Sequence, residues 1–207
     1  MKKYILNNLL SYFFGFFLIF SPLAFAESVL DVTEKDFIMG GENAPITIIE
    51  YASLSCSHCA DFHINTLPEL IKEFVDTGKA RIVFRDFPFN YPALLGSMVL
   101  RCVPRDIRYE YSNALYHLQS KWVLRENAKT TQELYKIMQS GGMTKERFNE
   151  CIDNVDLENE ILNGLMAAQS EFNIKSTPSF LINGILIEGN KTIKDFRQII
   201  DKILSEQ

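Results

Sequence analysis

The chain has 207 residues, four of them cysteine, a formal net charge of −5 at neutral pH and a hydrophobic share of 47%. That length supports one substantial core rather than several domains. The acidic balance argues against nucleic acid as a partner, which would call for a basic patch.

The first residues predict export. Met1, Lys2 and Lys3 make a short positive segment, an apolar run covers residues 9–20, and Pro22 and Ala24-Phe25-Ala26 close it. A basic start, an apolar middle and an Ala-x-Ala end describe a secretory signal peptide over residues 1–26, cleaved after Ala26. An uncleaved anchor is the alternative, because the low polarity extends almost far enough to span a bilayer. Residues 27–207 contain no second run of that kind. They contain all four cysteines, an even count that favours disulfides in an exported chain.

Residues 46–51 form a dense apolar, β-branched run after Ala44-Pro45 and predict a buried strand. The turn Ser53-Leu54-Ser55 leads to Cys56, and helical character follows over 57–77. Leu67, Leu70, Ile71, Phe74 and Val75 take the spacing of one helix face. Pro68 predicts a kink or the start of a second segment, and Gly78 a stop. Residues 80–85 read as the next strand, so a right-handed parallel crossover is expected. From 93 to 172 no strand is convincing. Helices are predicted over 93–102, 107–119, 131–139, 144–152 and 157–172, with Pro104 and Gly141-Gly142 as breaks. Tyr109, Tyr111, Tyr116 and Trp122 make an aromatic-rich stretch expected in the core, with an apolar groove for unfolded substrates as the alternative. Strands at 179–182 and 185–187 flank Asn183-Gly184, a strong hairpin signal because both residues tolerate positive φ. An amphipathic helix over 192–204 turns Ile193, Phe196, Ile199, Ile200 and Leu204 inward. The class is α/β: one sheet completed by the two outer pieces, with a helical insertion at about 93–172.

The chemistry concentrates at Cys56-Ser57-His58-Cys59. A thiol is a poor nucleophile until it loses its proton. Cys56 falls where the strand gives way to a helix, whose free N–H groups favour an anion. Cys59 lies three residues on, within reach for a disulfide. Cys56 is therefore the expected attacking sulfur and Cys59 the resolving one. His58 places an imidazole beside the thiolate. A thiol pKa lowered by about 4 units corresponds to roughly 5–6 kcal/mol, and a stabilised dithiol makes the disulfide a stronger oxidant. An inert structural disulfide is one alternative. Zinc or copper held by Cys56, His58, Cys59 and His63 is another, though no clean tetrahedral set is spaced for it. His63 and His117 are expected on helix surfaces. No metal and no cofactor is expected.

The segment Glu50-Tyr51-Ala52-Ser53-Leu54-Ser55-Cys56-Ser57-His58-Cys59-Ala60-Asp61-Phe62, with the distant Ser176-Thr177-Pro178-Ser179-Phe180, resembles the DsbA family of bacterial periplasmic thiol:disulfide interchange proteins. The resemblance runs from about Val29 to the C-terminus and is strongest to the alphaproteobacterial type with an extra cysteine pair. It implies a thioredoxin-like fold interrupted by a helical subdomain. It also implies oxidation of unfolded or partly folded exported proteins with free cysteines, through a mixed disulfide at Cys56. A quinone-linked inner-membrane protein would reoxidise the pair. Ser57 stands where the family usually has proline, which leaves the strength of the oxidant open.

The same resemblance makes Thr177-Pro178 a cis-proline site that brings the Thr177 backbone beside Cys56, where an extended substrate could pair with it. Glu50 interrupts an apolar strand, and the family has a buried acid at the matching place. Without a partner such a carboxyl would hold its proton to higher pH and could exchange a proton with Cys59 through water. The alternative is an ion pair with Arg81 or Arg85. Cys102 and Cys151 are read as a structural disulfide within the insertion, worth about 4 kcal/mol by loop entropy, with two buried free thiols as the alternative. A disulfide isomerase or reductase on the same scaffold, and a metal-binding exported protein, remain as other functions. No separate dimerisation segment is expected in residues 27–45, and a periplasmic monomer is the expected form.

Overall fold

The computed structural model describes residues 30–205; the predicted signal peptide lies outside them. A short strand, β1 (Phe37–Met39), comes first. β2 (Ile46–Ala52) follows, then β3 (Ala80–Asp86), parallel to it with Ile46 opposite Ala80 and Ala52 opposite Asp86. The crossover between them is a helix in four pieces: α1 (Ser57–Asp61), a π-helical turn (Phe62–Thr66), α2 (Leu67–Leu70) and a second π-helical turn (Ile71–Val75). Pro68 sits in the first turn of α2. It has no N–H to give, and widened turns on either side carry the chain past it. Gly78, at φ +72, ends the run, a conformation open to a residue without Cβ.

Seven further helices occupy the described chain after β3. α3 (Tyr91–Arg101), a 3-10 turn (Arg105–Ile107), α4 (Arg108–His117), α5 (Gln119–Trp122), α6 (Asn127–Ser140), α7 (Lys145–Ile152) and α8 (Val155–Phe172) form the insertion. Then come β4 (Ser179–Ile182), β5 (Ile185–Glu188) and α9 (Ile193–Ser205). The sheet order is β1-β3-β2-β4-β5, with β1, β4 and β5 antiparallel to their neighbours. This is the expected thioredoxin-like α/β arrangement with a helical insertion.

Two departures have local causes. β1 has only three residues, too few for an alternating pattern to register. It is held by stacking of Phe37 on Phe84 and by Asp36, which accepts from Arg85. The helix expected over 107–119 ends at His117, and α5 restarts beyond Leu118. The expected hairpin turn forms, with Asn183 at φ 46 and Gly184 at φ 84. Asn183 also accepts from the Thr47 N–H at 2.7 Å and donates to the Pro45 carbonyl at 3.1 Å, which locks the turn to β2.

Strand alternation sorts the core. Ile46, Ile48, Ile82, Phe180 and Ile182 meet Phe62, Leu67, Leu70, Phe74, Phe196 and Ile200 from the crossover helix and α9. Each such buried side chain contributes roughly 1.5–3 kcal/mol. On the opposite face Ile49, Tyr51, Val83 and Leu181 meet Ala168 of α8 and Ile174. A third cluster joins Leu54, Cys59 and Ala60 to the insertion residues Val99, Leu115, Tyr116, Trp122, Leu134, Met138 and Phe148. The insertion therefore packs directly on the start of the crossover helix. Trp122 is fully buried and donates its ring N–H to the Leu115 carbonyl; Trp122 and Tyr116 are core, as expected, while Tyr109 and Tyr111 are half-buried. Cys102, just past α3, is disulfide-bonded to Cys151 of α7.

Candidate active site

β2 and the crossover helix meet in a tight turn in which the Cys56 N–H donates to the Ser53 carbonyl at 3.0 Å. Cys56 itself is extended and caps α1, its carbonyl accepting from Ala60 at 3.1 Å. Its thiol is half-buried, whereas Cys59 is 0% exposed. Both are free thiols in this structure.

The two sulfurs are driven apart in acidity. The Cys56 pKa is lowered to about 5, first because the Cys59 thiol bonds to its anion. Partial burial opposes this, while Thr177 and the backbone N–H groups of Cys59 and His58 add to it. Burial pushes the Cys59 thiol far up, and Cys56 and the charge of Glu50 push it the same way. An exposed, acidic sulfur beside a buried, weakly acidic one divides the labour of thiol–disulfide exchange. His58 acts on Cys56 through its backbone N–H, and its side chain is exposed.

Residues far apart in the chain complete the site. The Thr177-Pro178 peptide is cis, and the Cys56 thiol donates to the Thr177 carbonyl at 3.3 Å. The Thr177 hydroxyl is buried and favours both thiolates. Gln119, at the start of α5, donates its side-chain amide to the Leu54 carbonyl at 2.9 Å and the Cys56 carbonyl at 3.0 Å. It ties the insertion to the loop that bears Cys56.

Glu50 is 0% exposed, on the same face of β2 as Ile46 and Ile48 and beneath the crossover helix. Arg81 and Arg85 do not pair with it: Arg81 donates to Thr47, and Arg85 to Asp36 and the Tyr51 hydroxyl. Its partner is His63, whose Nε2 lies 3.1 Å from each carboxylate oxygen. The expectation of a surface position for His63 is thus corrected: the ring is 3% exposed. The signal was present, since His63, Leu67, Leu70 and Phe74 fall on one helical stripe. His117 is exposed, as expected. Gln119 carried no such signal. Among the described residues no three His, Cys, Asp or Glu side chains gather as a metal ion would require.

Residues 32–202 match the model of a family described as Thioredoxin. The chain is similar to a protein of Rickettsia bellii named, provisionally, a protein-disulfide oxidoreductase, with 31% identity over 180 residues, 84% of this chain and 67% of the relative. A Rickettsia felis protein of the same name is 29% identical over 178 residues, 85% of this chain and 63% of the relative. The chain thus spans 63% to 67% of the length of these curated relatives. Among solved structures it is similar to Wolbachia pipientis alpha-DsbA1, with a TM-score of 0.80 and 29% identity over 86% of this chain and 95% of that one.

Proposed function

The chain belongs to the thioredoxin family, in the DsbA-like form whose sheet carries a helical insertion, and on that premise we propose that it is a thiol:disulfide oxidoreductase that donates a Cys56–Cys59 disulfide to other exported proteins. The observation that carries the proposal is a half-buried Cys56 thiol with its pKa lowered to about 5 beside a fully buried Cys59.

The steps follow from that asymmetry. A substrate thiolate attacks Cys56 Sγ, the Cys56–Cys59 bond breaks, and Cys59 leaves with the electron pair and takes one proton. A second substrate thiolate then attacks the mixed disulfide at the substrate sulfur, and Cys56 leaves as an anion. The substrate loses two electrons and forms a disulfide; the enzyme gains them as a dithiol. A thiol that ionises easily is a good leaving group and stabilises the dithiol, so the disulfide is readily given away. Thr177 offers its backbone to an extended substrate as an added strand. Glu50 trades the proton of Cys59. His58 lends its N–H to the Cys56 anion. Cys102–Cys151 braces the insertion.

The substrates are unfolded or partly folded exported proteins with free cysteines, in the periplasm, reached by way of a cleaved signal peptide. A quinone-linked inner-membrane protein reoxidises Cys56 and Cys59, and the enzyme works as a monomer. A reductase or isomerase is the second reading, favoured by Ser57, which lacks the rigidity of proline in the first helical turn.

A redox titration of Cys56 and Cys59 against glutathione separates the two. A potential well above the roughly −270 mV of thioredoxin is expected. A value near that of thioredoxin would move the assignment to a reductase.

A further inference from the structure

Glu50 and His63 form a buried pair that the exchange steps above use only in part. Glu50 is fully enclosed, and among the described residues His63 Nε2 alone reaches it, 3.1 Å from each oxygen. Three aromatic rings pack against the imidazole. The Tyr116 ring lies over it at 4.1 Å between centroids, and Phe62 and Phe84 close its edges at 5.6 and 5.8 Å. Its Nδ1 is buried without a hydrogen-bond partner.

That unpartnered nitrogen selects the protonation state. A proton on Nδ1 would be a buried donor with nothing to receive it, and a charged ring would be worse. A neutral ring protonated at Nε2 leaves only a lone pair unsatisfied and donates to Glu50. The Glu50 carboxyl group is then held in place by a single forked hydrogen bond. Cys59 stands one helical turn before His63, on the same side of the crossover helix. The charge of Glu50 is among the causes that keep the Cys59 proton on.

We infer that His63 is a positioning residue, which holds the Glu50 carboxylate where it exchanges one proton with Cys59. The inference rests on the proton role proposed above for Glu50. When the Cys56–Cys59 bond breaks, Cys59 leaves with the electron pair, and the proton it takes comes from the Glu50 carboxyl. When Cys59 attacks to re-form the bond, the proton returns to Glu50. His63 keeps its own proton throughout and guides the carboxylate. Among the described residues, the other titratable groups that face this pair are Cys59 on α1 and Tyr116 on α4. Asp86 at the end of β3 and Cys56 also act on Tyr116.

The test is the pH dependence of the Cys59 step, followed by mixing the full protein with a dithiol peptide over the neutral range. In His63→Leu the carboxyl loses the only donor it has among the described residues. The step should slow by about tenfold or more, and its pH dependence should flatten. His63→Gln offers a donor but cannot titrate, and it should restore both rate and profile. The double variant His63→Leu/Glu50→Gln should be no slower than Glu50→Gln alone, since both act on one proton. A His63→Leu protein with the parental profile, or a double variant whose losses multiply, would overturn the inference. So would a His63→Gln protein as slow as Glu50→Gln, because His63 would then be titrating itself. That last comparison also carries the test if His63→Leu does not fold. An unchanged profile in Glu50→Gln sinks the proton role of Glu50, on which the inference rests. A changed profile there with an unchanged one in His63→Leu sinks the role of His63 alone.

Discussion

The Cys56 anion couples chemistry to stability. Folding lowers its pKa to about 5 from an ordinary 9.0. Because the folded value is the lower one, the anion's contribution to the reduced protein is complete above the ordinary value. It fades as pH falls and is lost through about 5. The raised pKa of Cys59 works the other way, but only above its own ordinary value of 9.0. The oxidised protein has neither thiol. Calorimetry of both forms should therefore find the melting temperature of the reduced form falling, relative to the oxidised form, as pH drops from neutral towards about 5. A difference between the two forms that did not vary with pH would contradict an acidic Cys56.

The elements around Cys56 are arranged so that a turn of the insertion steadies a loop of the sheet. α4 stops at His117 and α5 begins at Gln119, whose amide bridges the Leu54 and Cys56 carbonyls on either side of Ser55. An unbroken helix would carry that side chain elsewhere. Replacing Gln119 by Ala leaves the Leu54 carbonyl without its side-chain donor and the Cys56 carbonyl with only the Ala60 N–H, and should cost about 1–3 kcal/mol, measured by urea unfolding of the oxidised protein. Asn is one carbon shorter and should recover little of the loss. No measurable destabilisation in Gln119→Ala would mean that water replaces the amide at both carbonyls. The crossover helix shows the same economy: its π-helical turns carry the chain past Pro68 while Phe62, Leu67, Leu70 and Phe74 stay on the sheet.

For the molecule as a whole, the insertion and the sheet share a core, since Leu54, Cys59 and Ala60 pack among insertion side chains. They should unfold together in a single transition. The Cys102–Cys151 bond spans 49 positions, and a loop of that order stabilises by about 4 kcal/mol through the unfolded state. Replacing both cysteines by Ala should lower the unfolding free energy by a comparable amount, read from denaturant curves that keep one transition. Two separated transitions would mean that the shared core does not couple the parts. A loss near zero would mean that the reduced, unfolded chain is already compact.

Local pattern reaches a good part of this protein. The β-branched run at 46–51, the Asn183-Gly184 turn and the spacing of Leu67, Leu70 and Phe74 each depend on neighbours within one turn or one strand, and they gave β2, the β4–β5 hairpin and the crossover helix close to their observed bounds. Cys56 and Cys59 are legible for the same reason, being three residues apart at a strand-to-helix junction. The partners of the site are not. His63 on Glu50 and Gln119 on the Cys56 loop join positions 13 and 63 residues apart, and Thr177 against Cys56, 121 residues apart, was expected through the family resemblance alone. No periodicity links such positions, and a hydrogen bond between them forms only after the sheet and insertion have been brought together. β1 belongs with these, because three residues cannot set a period and its place depends on β3 being there to receive it. Whether a polar side chain is a surface group or a buried partner depends on what lies across from it, and that is a property of packing in three dimensions.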